Sequence, residues 1–470
     1  MMFFCTFSQN NLWISIFLCF LSLNSIAAKP QQYLKLQDVL FSVTHCYPQI
    51  KIARLEINKA HGEYISAIGK FDPSINLDTR SQPIGGYISN YGDTEFDVPT
   101  LYNGVKLFAG YRNGRGDWPI YYQNYLTNSG GEYRTGLSLP LLRDRVIDKD
   151  RARLLTKSET IRIKQHDAAA TKIKIYQETI KAYWQWVAAG LQVKIFKHLF
   201  ELAEVRQKAV VQQATQGDAP RLAMAENLQQ MLQRQQLLNQ GKMLFEQAAI
   251  NLSLYYRDKE GNPKKPSARD LPPYLSEQPV KPQESMLQLE HHPQLRKLRN
   301  YSKIIKLKQN LAKNELLPYL DGTAYTFKQN GTGGYPLLIP QAAMIGVSFK
   351  FPVFQRQAKG KLISATRELE QICAERKFLY ERLKNELTNL FIGIRIYHQQ
   401  VRLLHKELNL AHQVQSGETK KFYEGDSTLF LVNQREQTTT QVQLNLINAE
   451  VKLQEMNDLV RFFSSAQAVS

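Results

Sequence analysis

The sequence predicts a mainly α-helical chain that also carries part of a membrane β-barrel, laid out as a twofold internal repeat. Three observations predict it. Sequence anchors recur between the two halves at nearly fixed offsets. A heptad seam runs from Leu362 to Ala411. Four short segments alternate apolar residues with polar or small ones.

The repeat is the most informative of the three. Cys46-Tyr47-Pro48-Gln49-Ile50 matches His291-His292-Pro293-Gln294-Leu295 at an offset of 245, and Pro73 matches Pro318 at the same offset. Gly136-Leu137-Ser138-Leu139 then matches Gly346-Val347-Ser348-Phe349 at 210, and Gly217-Asp218 matches Gly425-Asp426 at 208. The first half therefore holds about 35 extra residues in one place, between Pro73 and Gly136.

Residues 12 to 23 form one apolar block, too short to span a bilayer of about 30 Å as a helix. Small residues follow it, and a secretory signal over residues 1-28 is expected, cleaved near Ala27 or Ala28. No Lys or Arg precedes Lys29, so the usual basic start is missing and an uncleaved anchor is the rival expectation. Past residue 28 no stretch approaches 18 consecutive apolar residues. A mature chain that enters a membrane would enter it as strands.

Each half opens with helix. Leu36, Val39, Leu40 and Val43 lead to a break at Pro48, and a second run covers Ile52 to Ile68. In the first half, 29-256, Ile75, Leu77 and Thr79 alternate with polar residues, as do Tyr133, Thr135, Leu137 and Leu139. Strands are expected at about 73-82 and 131-140. In the second half, 283-470, the same signal at Ile345, Val347, Phe349 and Phe351 predicts strands at about 318-329 and 342-352. Residues 82-130 read as a long loop rich in Gly, Asn and Tyr, with Gly104 to Tyr111 as the candidate for an extra strand or hairpin. Eleven aromatics lie from Tyr87 to Tyr133. They would serve an interfacial belt or a soluble Tyr-rich binding loop.

The seam at 362, 365, 369, 372, 376, 379, 383, 387, 390, 394, 397, 401, 404, 408 and 411 steps by threes and fours, and Arg376 is its one charged residue. A helix over about 355 to 423 would run roughly 100 Å at 1.5 Å per residue. Its counterpart spans about 146 to 214. Both stop at a Gly-Asp. Gly425 suits a left-handed end with Asp426 or Ser427 capping the next helix, and Pro220 suits a first turn. Long antiparallel coiled-coil hairpins are therefore expected at 146-256, with a tip at 217-220, and at 355-464, with a tip at 425-428. Between the halves, 257-282 carries prolines at 263, 266, 272, 273, 279 and 282 and reads as an extended connector.

Composition narrows the function. The chain has 470 residues, 43% apolar and 22% charged, which excludes a disordered or disulfide-dense class. Lys and Arg total 60 against 42 Asp and Glu, and the resulting +18 favours an anionic neighbour such as nucleic acid, a lipid surface or a lipopolysaccharide-like coat. Cys5, Cys19, Cys46 and Cys373 show no metal-ligand spacing, and no nucleophile motif or phosphate loop occurs. No enzyme, cofactor or metal is expected. Nor is nucleic acid, because the signal exports the chain and no base-reading module appears.

Four strands cannot close a barrel, and open edges in lipid leave unpaired backbone groups costing several kcal/mol each. Closure requires other chains. Three copies of four strands supply twelve, with six hairpins packing into a helical cylinder.

The proline-bounded opening helix, the proline-led strand, the long helix, the Gly-Asp tip and the twofold repetition together resemble the TolC-like outer-membrane factor family, over about residues 36 to 464. The resemblance implies a homotrimer in the outer membrane of a Gram-negative-type cell. It implies a trimeric 12-stranded barrel with four strands per protomer, and an α-helical barrel reaching into the periplasm. The activity it implies is passive conduction of small molecules or proteins from periplasm to exterior, in a tripartite efflux pump or a type I secretion system. The implied partners are a periplasmic adaptor protein, through it an inner-membrane transporter, and outer-membrane lipid. Carried residue by residue, the adaptor contact and periplasmic entrance fall on Gly217, Asp218, Pro220 and Leu222, and on Gly425, Asp426, Ser427, Thr428 and Leu429. Pro220 and Arg221 stand where the second repeat has Thr428 and Leu429.

The rival reading is an exported coiled-coil interaction protein without a pore. His398, His405 and His412 recur every seven residues beside the seam. With no carboxylate or Cys at ligand spacing, they read as a solvated or pore-facing stripe rather than a metal ladder. Asp218 and Asp426 read as helix caps or as part of an acidic ring at the entrance.

Overall fold

A computed structural model of the chain describes residues 33–216, 221–273, 289–333 and 341–463. The expected signal, the tip residues Gly217, Asp218 and Pro220, and 274-282 of the expected connector lie outside the described residues.

Helix α1 (Leu36–Cys46) opens where the Lys35 N–H donates to the Asp38 carboxylate at 3.1 Å. Pro48 begins α2 (Pro48–Ile68), where its missing N–H leaves no helical bond unmade. Strands β1 (Ser74–Gln82), β2 (Ser89–Pro99), β3 (Lys106–Gly116) and β4 (Glu132–Pro140) follow, then α3 (Lys149–Gln216) and α4 (Arg221–Ser253). The second half runs through α5 (Pro293–Asn314), again proline-led, β5 (Tyr319–Gln329), β6 (Gln341–Lys350), α6 (Arg356–Glu424) and α7 (Leu429–Arg461).

The long helices have 68 and 69 residues, roughly 100 Å each. Each has two shorter partners along its length. Helix α2 runs antiparallel to the sheet-proximal part of α3, with Lys157 2.6 Å from Glu63 and Lys164 3.1 Å from Glu56. Helix α5 lies between α3 and α6, through Lys297–Asp167 at 2.6 Å and Lys308–Glu368 at 3.0 Å. Helices α4 and α7 pair with the distal parts of α3 and α6. The result is a layer four helical lines wide: α2 with α4, then α3, then α5 with α7, then α6.

Half-exposed ion pairs contribute little each, and the apolar seam sets the layer. Leu383, Leu387, Val401 and Leu404 of α6 are buried, and the other seam positions from Leu362 to Ala411 are buried or half-buried. Arg376 alone is exposed, 3.1 Å from Glu290. The main core lies at the middle of α3, where Tyr176, Ile180, Trp186 and Val187 pack with Val39 and Leu40 of α1, Leu252 of α4 and Phe462. Two of its polar side chains are matched: Tyr183 Oη donates to the Leu34 carbonyl at 2.9 Å, and Trp184 Nε1 donates to Asp458 Oδ2 at 2.9 Å. The buried Trp186 Nε1 has no hydrogen-bond partner among the described residues. Burial pushes the Asp458 carboxyl up to about 6, although Trp184 and Arg461 both favour its charged form.

The sheet corrects the sequence expectation. It has six strands in the order β1-β2-β3-β4-β5-β6, every neighbour antiparallel. Residues 82-130 are therefore not one long loop: β3, from Lys106 onward, meets the candidate extra strand at Gly104 to Tyr111, and β2 comes in addition. They contain β2 and β3, paired from Ser89↔Gly116 to Pro99↔Lys106, and the extra residues of the first half build this hairpin. The four-strand protomer gives way to six strands, and three copies would bring eighteen rather than twelve.

Replacing Asp458 tests the core. An unfolded Asp titrates near 3.9, so a folded value near 6 means that ionised Asp458 costs stability above about pH 6, a cost removed below about pH 4. Asp458→Asn keeps an acceptor for Trp184 without the charge. It is expected to gain up to about 2 kcal/mol at pH 7.5 and nothing at pH 4, read from denaturant midpoints in detergent at the two pH values.

Candidate functional site

The register sorts the strands into two chemically opposite faces. One face carries the row Ile75, Phe96, Ala109, Thr135, Thr326, Ala343 and the row Val98, Leu107, Leu137, Ala324, Ile345. Leu139, Gly322 and Val347 continue it, then Leu320 and Phe349. Its apolar side chains face outward: Leu77 is 70% exposed, Ile345 84% and Phe349 67%. From Leu139 to Tyr133, or Phe349 to Ala343, the band is about 20 Å tall at 3.3 Å per residue. Tyr111 and Tyr133, with ring centroids 4.9 Å apart, bound it at one end. Phe351 and Phe354 are exposed at the other. Beyond the tyrosines the same face turns polar, with Thr79, Ser81, Asn90 and Asn113.

The opposite face carries a ladder of charges, flanked by Phe108, Tyr325 and Phe327. Arg134 Nη2 lies 2.7 Å from Asp93 and 2.6 Å from Glu95, reaching over Gly110, which stands between them on β3. Arg112 Nη2 donates to Glu132 Oε2 at 3.1 Å, and Gln329 Nε2 donates to the same oxygen at 2.9 Å. An exposed apolar band on one side and a tied ladder of charges on the other is the pattern of a sheet set between an apolar medium and water.

The second tip has a defined geometry. Gly425, at φ +87°, ends α6: its N–H donates to Phe422 O at 3.2 Å, and Asp426 N–H donates to Lys421 O at 2.9 Å. Those two bonds satisfy the last carbonyls of the helix through a left-handed glycine. The expected cap is corrected by one position or two. Thr428, not Asp426 or Ser427, caps α7, its hydroxyl accepting from Leu431 N–H at 3.4 Å. Ser427 instead donates to Glu418. Leu429 starts α7, and Leu222 lies exposed in the first turn of α4. Tyr423 and Phe430 add exposed apolar surface beside the turn.

One buried cluster ties the two hairpins together roughly 10 Å above that tip, at 1.5 Å per residue from Leu429 to Glu436. Glu436 of α7 accepts from Arg206 of α3 and lies 2.8 Å from Arg234 Nη2 of α4. Asn433 accepts from both guanidinium groups, at 2.7 Å and 3.1 Å. Burial raises the Glu436 carboxyl, but the bond to Arg206 and the charges of Arg206 and Arg234 outweigh it and hold the group below the usual carboxylate range. Burial pulls Arg234 down, yet a guanidinium starts so high that it stays charged.

The histidines lie on the exposed side of α6. His405 Nε2 is 3.2 Å from Glu450 Oε1, and His412 faces Gln443 at 3.4 Å. Among the described residues no group of His, Cys, Asp and Glu could hold a metal, and no helix is long and apolar enough to cross a membrane. Sequence reasoning missed the charged ladder and the Arg206–Glu436–Arg234 cluster. For the ladder a signal existed, since Tyr91, Asp93, Glu95 and Asp97 alternate with Gly92, Thr94, Phe96 and Val98.

No protein-family model matches this sequence, and no curated protein sequence matches it either. Solved structures do. The outer membrane protein VceC from Vibrio cholerae superposes with a TM-score of 0.65 at 12% identity, over 92% of this chain and 96% of that one. The Neisseria gonorrhoeae MtrE outer membrane channel gives 0.63 at 12%, over 94% and 92%. The Campylobacter jejuni CmeC outer membrane channel gives 0.61 at 13%, over 91% and 85%. The chain has the fold of these outer membrane channels, so the resemblance to TolC-like factors holds for the fold.

Glu436→Gln preserves shape but leaves two buried guanidinium groups without a counter-charge. The variant is expected to lose about 3 kcal/mol, and limited proteolysis should cut first near the hairpin ends.

Proposed function

We propose that the chain is one protomer of a passive outer-membrane conduit, closed as a homotrimer, that conducts small molecules or proteins from periplasm to exterior. The observation that carries this reading is the two-faced sheet whose edges at β1 and β6 no described strand pairs. Its band suits lipid, its charged ladder suits a water-filled lumen, and edges in lipid must be paired. The helical layer supports it. The α2 and α4 line leaves Ile52, Leu55, Leu228 and Leu232 exposed, and α6 leaves Ile392, Ile396, Leu403 and Leu410 exposed. These stripes lie on the same two sides as β1 and β6, because α2 leads into β1 and β6 leads into α6. One side of a copy meets the other side of the next, a head-to-tail contact that closes into a ring. Three copies bring eighteen strands, a number that leaves an aqueous channel.

The tip residues Gly217, Asp218, Pro220, Leu222 and Gly425 to Leu429 are assigned to the periplasmic entrance and to a periplasmic adaptor, which links the duct to an inner-membrane transporter. The adaptor would meet the apolar side chains of Leu222, Tyr423 and Phe430. An exported interaction protein without a pore has no use for an apolar band on a sheet whose other face is charged.

Two measurements test the reading. Purified chain added to planar lipid films is expected to give stepwise conductance, and the protein to fractionate with outer membranes; recovery as a soluble monomer with silent films would refute it. Gly425→Val places a β-branched residue at φ +87°, strained by about 1–2 kcal/mol. Trimers should persist on native gels while export falls several-fold.

A further inference from the structure

Residues 117–131, between β3 and β4, fold back onto the charged face of the sheet. Thr127 pairs with the edge of β3 beyond the end of β4, and the contacts of Tyr125 and Trp118 place the segment on that face. Thr127 N–H donates to Gly114 O at 3.0 Å, and Thr127 Oγ1 accepts from Gly114 N–H at 3.1 Å. Gly114 lies on the charged face, and a Cβ there would meet the Tyr125 carbonyl at 1.8 Å. Tyr91, on that face and buried, packs edge-on against Tyr125 at 4.9 Å and Trp118 at 6.4 Å. The Arg80 guanidinium, on the same face of β1, stands 6.0 Å from the Tyr91 ring and 5.9 Å from that of Tyr125. The segment is also tied at its ends, by Asp117 N–H to Ile88 O at 2.8 Å and Gly130 N–H to Asn330 O at 2.9 Å. It lies beyond Tyr111 and Tyr133, past the end of the apolar band that is farthest from the helices.

We propose that this segment is a fixed aromatic eyelet inside the barrel, which narrows the outer mouth and sets the size of solute that passes. The inference rests on the conduit reading, which makes the charged face the lumen. One copy per protomer hangs from the wall. Ile120 is 85% exposed and Tyr121 77%, so the segment presents apolar surface away from the Tyr91 and Gly114 contacts that hold it, beyond the Arg134 and Arg112 ion pairs of the same face. An apolar constriction excludes hydrated ions while passing ring-bearing or apolar solutes. A barrel of eighteen strands without it would be wide open.

The test is single-channel recording in planar lipid films. Replacing residues 118–126 with a short Gly-Ser link is expected to raise unit conductance at least about twofold. In a second form, Cys5→Ser, Cys19→Ser, Cys46→Ser and Cys373→Ser remove the native thiols, and Tyr121→Cys is treated from the outer side with a bulky thiol reagent. Conductance should then fall. Unchanged conductance in both variants overturns the eyelet while leaving the conduit standing. Silent films from the unaltered protein overturn the conduit and the eyelet with it.

Discussion

Backbone hydrogen bonding in a medium without water is the constraint on which this structure depends. The outer strands β1 and β6 each present one row of N–H and C=O groups that no described strand pairs. In water such an edge is a modest liability; in hydrocarbon each unmet group costs several kcal/mol. The apolar band beside those edges makes hydrocarbon the medium that suits this sheet. Placed in hydrocarbon, such a sheet would be incomplete on its own, and the helices leave apolar stripes exposed on the same two sides.

The helices answer a different demand. Rods of roughly 100 Å cannot be held by their ends, so packing must recur along the whole length. The seam of α6 supplies it in steps of three and four, and α3 is held by α2 and α5 along one part and by α4 and α7 along the other. Buried polar groups sit where rods from different hairpins must register: Trp184 with Asp458 at the middle, Arg206 and Arg234 with Glu436 toward the tip. A buried ion cluster adds little net stability over apolar packing, but it penalises any axial slip that would strand a charge. Apolar contacts alone tolerate such a slip far better.

Legibility in the sequence followed the range of the interaction. Period-two alternation at Ile75–Thr79, Tyr133–Leu139 and Ile345–Phe349 is a local property of a strand with one wet face, and the seam is a local property of a long helix. Of the β2–β3 hairpin, β3 was partly legible at Gly104 to Tyr111; β2 escaped because its outer face carries Gly92 and Thr94 beside Phe96 and Val98, and glycine, asparagine and tyrosine in one stretch imitate a loop. The inter-hairpin cluster could not be read. Arg206 and Glu436 are 230 residues apart, and each looks in isolation like a solvated charge on a helix. Thr428 displaced Ser427 as the cap because the glycine turn needs two residues, not one, before α7 can start.

The β2–β3 hairpin also resolves a mismatch of widths. Strands about 4.8 Å apart and tilted near 40° each take up about 6 Å of circumference, so four would cover roughly 25 Å and six roughly 38 Å. The helical layer beneath is four lines wide, roughly 36 Å at about 9 Å between axes. A four-stranded sheet would have to draw the wall inward where strands give way to helices. The six-stranded sheet continues it with little change in girth. In the proposed duct, a wall of constant girth places no narrowing at the junction, which leaves any narrowing at the outer end to a segment folded inward from the wall.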